Sequence, residues 1–90
     1  MTDEEITALD ALKFQTLGTG PTATTSTAIM QQEVRVIGIK ANHFITTNGT
    51  IATTSSFVVP EGTIIKVRIE LGQRITAITD GGNGHLTIAY

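Results

Sequence analysis

The sequence has no cysteine and no tryptophan, only two prolines, three phenylalanines and one tyrosine, and just 16% charged residues. Without cysteine there is neither a disulfide framework nor a thiolate-ligated metal. Four aromatics are too few for a base-stacking platform, and a formal charge of -2 does not favour phosphate-backbone binding. No segment approaches the roughly 18 apolar residues of a membrane span. Neither a nucleic-acid nor a membrane partner is therefore expected.

What the chain does have is 17 threonines and 12 isoleucines against 5 leucines. β-Branched side chains lose χ1 freedom in helices and pack well on pleated sheets, so the expected class is all-β. At 90 residues the chain is one small domain with tails. Charge divides it: Asp3, Glu4, Glu5 and Asp10 stand against Lys13 alone in the first 13 residues, while the remainder is slightly basic.

The acidic stretch predicts a short helix over about residues 2–14. Thr2 and Glu5 have capping-box spacing, and the acids sit at the positive end of the helix dipole. Ile6, Leu9 and Leu12 form a narrow apolar stripe that needs a partner surface, because so short a helix is marginal in water. With Phe14, these are the candidate interaction residues of the arm. Residues 15–28 are uncharged and rich in threonine, with Gly18, Gly20 and Pro21 but no apolar periodicity. They read as a linker or extended arm reaching about 40 Å. No secretory signal is legible, so synthesis in a cytoplasm is expected.

From residue 29 to 90 the pattern is strands and turns. Val34 and Val36 alternate with Glu33 and Arg35, and a change of phase at Ile37 and Gly38 predicts a bulge. Asn48-Gly49 between His43–Thr47 and Thr50–Thr54 predicts a two-residue hairpin of type I′. Thr63–Leu71 alternates most cleanly, with Ile65, Val67, Ile69 and Leu71 on one face and Lys66, Arg68 and Glu70 on the other. Pro60-Glu61-Gly62 is a turn before it. Six or seven short strands describe a small antiparallel β-sandwich or barrel carrying an N-terminal arm.

Catalytic chemistry finds no pattern to use. Serine occurs only at positions 26, 55 and 56, none in a nucleophile elbow, and the acids share no motif. Asp80-Gly81-Gly82-Asn83-Gly84 lacks the ligand spacing of a calcium loop, and His43 and His85 lack metal-ligand spacing. No enzyme activity, cofactor or metal is expected. Lys66, Arg68 and Arg74 suggest a basic rim patch for acidic protein surface, with the acidic helix of a neighbouring copy one possible occupant.

The run Phe57-Val58-Val59-Pro60-Glu61-Gly62-Thr63, the alternation Ile65-Lys66-Val67-Arg68-Ile69, and then Leu71-Gly72-Gln73-Arg74-Ile75 and Ile78-Thr79-Asp80-Gly81 resemble small β-domains of tailed-bacteriophage virion proteins. The chain is most similar there to short capsid decoration, or cement, proteins. The resemblance covers about residues 57–90 and carries over no individual residue. It implies a virion protein bound to the outside of the major capsid protein shell, commonly as a trimer, with an arm gripping neighbours. Independently, a domain of about 60 residues is marginal alone, which favours oligomerisation or docking. Two further readings are a phage fibre, spike or neck attachment protein, and a small carbohydrate-binding module. The latter would use the Asn48-Gly49 and Asp80–Gly84 loops, with Phe44 and Tyr90 as platforms. Removing residues 1–28 is expected to leave the β-domain folded but to abolish attachment.

Overall fold

The computed structural model describes residues 13–90, which are all-β: β1 (Phe14–Thr19), β2 (Thr24–Thr25), β3 (Glu33–Ile39), β4 (His43–Thr46), β5 (Phe57–Val59), β6 (Ile64–Arg68), β7 (Thr76–Thr79) and β8 (Gly84–Ala89). The strands form two four-stranded antiparallel sheets, A in the order β1-β8-β3-β6 and B in the order β2-β7-β4-β5. Consecutive strands thus mostly alternate between sheets, the double Greek-key winding of an eight-stranded jelly roll. Ile29, Val34, Val36, Ile45, Val59, Ile69, Ile75, Ala77, Leu86 and Ile88 fill the space between the sheets. Every one is aliphatic, as the β-branched composition leads one to expect.

The winding overturns the division into arm and domain. Residues 15–28 are not a linker, because β1 pairs along its whole length with β8, from Phe14 opposite Ala89 to Thr19 opposite Gly84. β2 pairs with β7, and Ser26 and Ile29 are fully buried. The Ser26 Oγ accepts the Ile75 amide at 3.0 Å, and the Ser26 amide donates to the Ile75 carbonyl at 2.8 Å. Uncharged threonines serve here as sheet residues whose backbone ladder, not apolar bulk, holds them. The expected helix over 2–14 lies mostly outside the described residues, Ile6, Leu9 and Leu12 included; its last member, Phe14, opens a strand instead.

Three strand-level expectations also change. Asn48-Gly49 does not close a hairpin: β4 pairs with β5 and β7, so Ile45 faces Phe57 and Ala77 rather than Ala52. Type I′ needs positive φ at both turn residues, yet Gly49 (φ 81°) has it and Asn48 does not. The Thr50 amide donates to Asn48 Oδ1 at 3.1 Å, and the Ala52 amide to Thr76 Oγ1 at 2.7 Å. The Thr46 and Thr76 hydroxyls both donate to the Thr50 carbonyl, so hydroxyl groups of β4 and β7 hold the segment that would have been the second hairpin strand. No bulge interrupts β3, whose buried positions run 34, 36, 38 without a break. The apparent phase change arises because glycine occupies an inward slot. β6 ends at Arg68, and Leu71 is exposed in the turn formed by Gly72 (φ 83°) and the Gln73 amide bonded to the Glu70 carbonyl. The Pro60–Thr63 turn does form, with Gly62 at φ 76° and the Thr63 amide on the Pro60 carbonyl.

Candidate functional site

Strand direction sorts the loops into two groups. The loops at 20–23, 40–42, 60–63 and 80–83 gather at one end of the sandwich, and those at 26–32, 47–56 and 69–75 at the other, with the chain ends near Lys13 and Tyr90. The Asn48-Gly49 and Asp80–Gly84 loops therefore lie at opposite ends and cannot share a ligand.

At the first end sits His43, fully buried at the start of β4. Its Nδ1 lies 2.9 Å from the Ala41 carbonyl oxygen and its Nε2 2.6 Å from Thr19 Oγ1. A carbonyl only accepts, so Nδ1 carries the proton in the neutral ring and Nε2 accepts from the threonine hydroxyl. Both ring nitrogens are satisfied. Burial pushes the His43 pKa below its ordinary value; the Ala41 carbonyl opposes this, and the nearby His85 adds to it. His43 is a structural keystone, and Gly38 opposite it leaves room for the ring. That inward glycine in an alternating strand was the sequence signal for a bulky neighbour.

A lowered folded pKa means that the unfolded chain takes up the proton more readily. The stability contribution is complete above the unfolded pKa and is lost as pH falls below it. The urea midpoint is expected to be lower at about pH 5.5 than at about pH 7.5, bracketing the unperturbed histidine value near 6.5. Replacing His43 by Gln should flatten that difference; a wild-type midpoint equal at both values would contradict the assignment.

Among the described residues, no group of three or more His, Cys, Asp or Glu side chains gathers to hold a metal. Of the three cations read as one patch the structure sets Arg74 apart, while Lys66 and Arg68 share the outward side of β6, with Arg68 opposite Glu33 of β3. Lys66 on the outer face of sheet A pairs with Glu33 at 3.3 Å, an exposed contact worth about 0–1 kcal/mol. Arg74 lies before β7 and donates from Nη1 to the Ser26 carbonyl at 3.1 Å, bracing the β2 segment. Arg68, at the end of β6, has no ion pair among the described residues.

Arg68 instead borders a cleft of about 390 Å³ at the second end, between the open edges of β5 and β6. Ile45, Phe57 and Val67 form its apolar surface, and Thr47, Asn48 and Thr50 its polar rim. A smaller cavity of about 170 Å³, lined by Gln32 and Glu70 among others, adjoins it across Arg68. The cleft exists because β5 and β6 are the edge strands of their sheets and only the four-residue turn at 60–63 joins them. Phe57, not Phe44 or Tyr90, is the exposed aromatic here, at 57% accessibility. Phe44 is half-buried, and the Tyr90 hydroxyl accepts a 3.0 Å bond from Gln15 Nε2. Sequence reasoning missed Phe57 because its place opposite Ile45 depends on the pairing of β4 with β5.

A third feature is the outer face of sheet A. Cross-strand register places Phe14, Ala89, Arg35 and Lys66 in one row and Thr16, Thr87, Ile37 and Ile64 in the next, followed by Gly18, His85 and Ile39. Phe14 is 45% and Ile39 39% exposed. An apolar strip flanked by cations thus crosses the face.

No protein-family model and no curated protein sequence matches the chain. Among solved structures, the crystal structure of FeII HppE superposes with a TM-score of 0.52 at 7% identity, covering 86% of this chain and 40% of that one. A protein of the disulfide-linked pili of Bacillus endospore appendages gives a TM-score of 0.41 at 17% identity, covering 87% of this chain and 82% of that one. An RmlC-like cupin from Desulfovibrio desulfuricans gives 0.35 at 12% identity, with 87% and 81% coverage. The chain spans less than half of the HppE chain, and that likeness concerns the fold alone.

Proposed function

We propose that this chain is a non-enzymatic structural protein of a tailed-phage virion, a decoration protein that docks on the capsid exterior and beside further copies of itself, as a trimer. The observation that carries this reading is the outer face of sheet A. Sandwich sheets normally turn polar residues to water, yet here Phe14, Ile37, Ile39 and Ile64 form a strip with Arg35 and Lys66 beside it. Such a strip gains free energy by being covered, and Arg35 beside it, without an ion pair among the described residues, suits an acidic partner. The chain also enters the domain next to this face: Lys13 and Tyr90 exchange backbone hydrogen bonds at 3.2 and 2.9 Å, one residue before Phe14. The preceding twelve residues carry four acids and no base, a segment suited to reach a neighbour. The resemblance of residues 57–90 to capsid decoration domains supports the virion as the setting.

The test is co-sedimentation with purified capsids together with light scattering of the free protein. Binding is expected to saturate on the shell, and the free species to weigh roughly three times the 9.5 kDa chain. Phe14→Ser with Ile37→Thr, both outward on sheet A, should weaken capsid binding by about tenfold or more while leaving the circular dichroism spectrum unchanged. A stable monomer that never sediments with capsids would refute the proposal.

A further inference from the structure

The cleft at Arg68 is a second, chemically distinct surface beside the outer face of sheet A. Its volume of about 390 Å³ falls within the roughly 300–1,000 Å³ typical of small-molecule sites. Its chemistry is specific. Phe57 presents an exposed aromatic ring beside the aliphatic surface of Ile45 and Val67. Asn48 spends its Oδ1 on the Thr50 amide, which leaves its NH₂ group to donate. The Thr47 and Thr50 hydroxyls, each able to donate and accept, line the same rim. Arg68 lines the rim from the end of β6; Glu33 stands opposite it on β3, but that carboxylate is paired with Lys66 at 3.3 Å, and no carboxylate lies within ion-pair distance of Arg68 among the described residues.

An apolar ring face, several hydroxyl-matching groups and one cation match a particular ligand class. We infer that the cleft between β5 and β6 binds an acidic sugar, one pyranose face against Phe57, its hydroxyls on Asn48 and the threonines, and its carboxylate on Arg68. A planar guanidinium holds a carboxylate by two parallel hydrogen bonds, which fixes orientation as well as charge. Glu70 in the adjoining cavity makes that second position repel another carboxylate, so the site favours a single uronate unit over a polyanion.

The experiment is an amide NMR titration of the full chain with three probes: methyl glucuronide, methyl glucoside and acetate. Glucuronide should shift the amides of Asn48, Thr50, Phe57 and Arg68, and bind about tenfold more tightly than glucoside, the difference one charge-assisted contact makes. Arg68→Gln should remove that preference, and Phe57→Ala should weaken both sugars; Lys40→Gln, in the 40–42 loop at the opposite end of the sandwich, should change neither. Glucuronide shifts absent at millimolar concentration, acetate reproducing the full response, or an undiminished preference in Arg68→Gln would each overturn the inference. None of these outcomes bears on capsid binding, so this site and the sheet A face succeed or fail separately.

Discussion

A chain beginning at residue 29 is expected to be unfolded, whereas one beginning at residue 13 is expected to keep the native structure. Truncation at 29 removes β1 and β2 together. β8 then loses its partner over six residue pairs, from Phe14–Ala89 to Thr19–Gly84, and becomes an edge strand with its backbone groups open to water. His43 loses the Thr19 hydroxyl that satisfies Nε2 while the nitrogen stays at the centre of that end of the fold. The Ile75 amide loses Ser26 Oγ, and Leu17, which packs against the core, is gone as well. Small domains hold only on the order of 5–10 kcal/mol of net stability, and losing a whole paired edge strand with two buried polar partners exceeds that margin. Far-UV circular dichroism and amide dispersion of the two truncated proteins decide the matter. A folded 29–90 fragment would mean that the N-terminal strands only decorate a complete sandwich.

The second large effect is expected at two glycines around the same histidine. A Cβ at Gly38 would lie 2.5 Å from His43 Nδ1 and 3.2 Å from the Ala41 carbonyl oxygen. One at Gly84 would lie 2.5 Å from the Ile39 carbonyl oxygen, which is backbone in the paired strand. Neither neighbour can yield cheaply, since the ring is held at both nitrogens and the carbonyl belongs to the sheet ladder. Gly38→Ala and Gly84→Ala should each lower stability by about 2–3 kcal/mol, in the range of overpacked cores. Gly18→Ala, where nothing lies within 4 Å, is the control and should be near neutral. In a His43→Ala background the cost of Gly38→Ala should shrink, because its clash is with the ring, while that of Gly84→Ala should persist. Chemical denaturation of the double-mutant set measures this coupling. Equal costs for Gly38→Ala in both backgrounds would show that the ring does not set the limit.

These two expectations mark where local reading of the residues stops. Alternation over Ile65, Val67 and Ile69 exposes a strand because side chains on a strand point to opposite faces, a property of a few neighbouring residues. The same holds for the Pro60–Thr63 turn and for the inward placement of Leu86 and Ile88. Asn48-Gly49 misleads because a turn dipeptide states a local preference, while the partner of β4 is decided by competition among all strands. Phe57 wins that place over Ala52, with Val59 completing the core beside His43. Of the candidate site, Arg68 was legible as an outward cation. Its cleft was not, because the gap between β5 and β6 follows from both being edges of different sheets.

What the sequence by itself determined is the class of structure: threonine and isoleucine in excess, short alternating runs and flexible turns leave an all-β sandwich as the outcome. The charge split, too, is a property of composition that no folding can alter. Only the tertiary structure decided that residues 14–28 belong to the sandwich. An uncharged threonine-rich segment has the same local preferences whether free or paired, and its partners, β8 and β7, lie some fifty to seventy-five residues later in the chain. The tertiary structure likewise decided that Arg74 stands apart from Lys66 and Arg68, which share the outward side of β6 beside Glu33, since proximity in sequence sets only which face of a strand a side chain takes. Which cation meets a carboxylate, a carbonyl or an open cleft depends on what the winding brings alongside it.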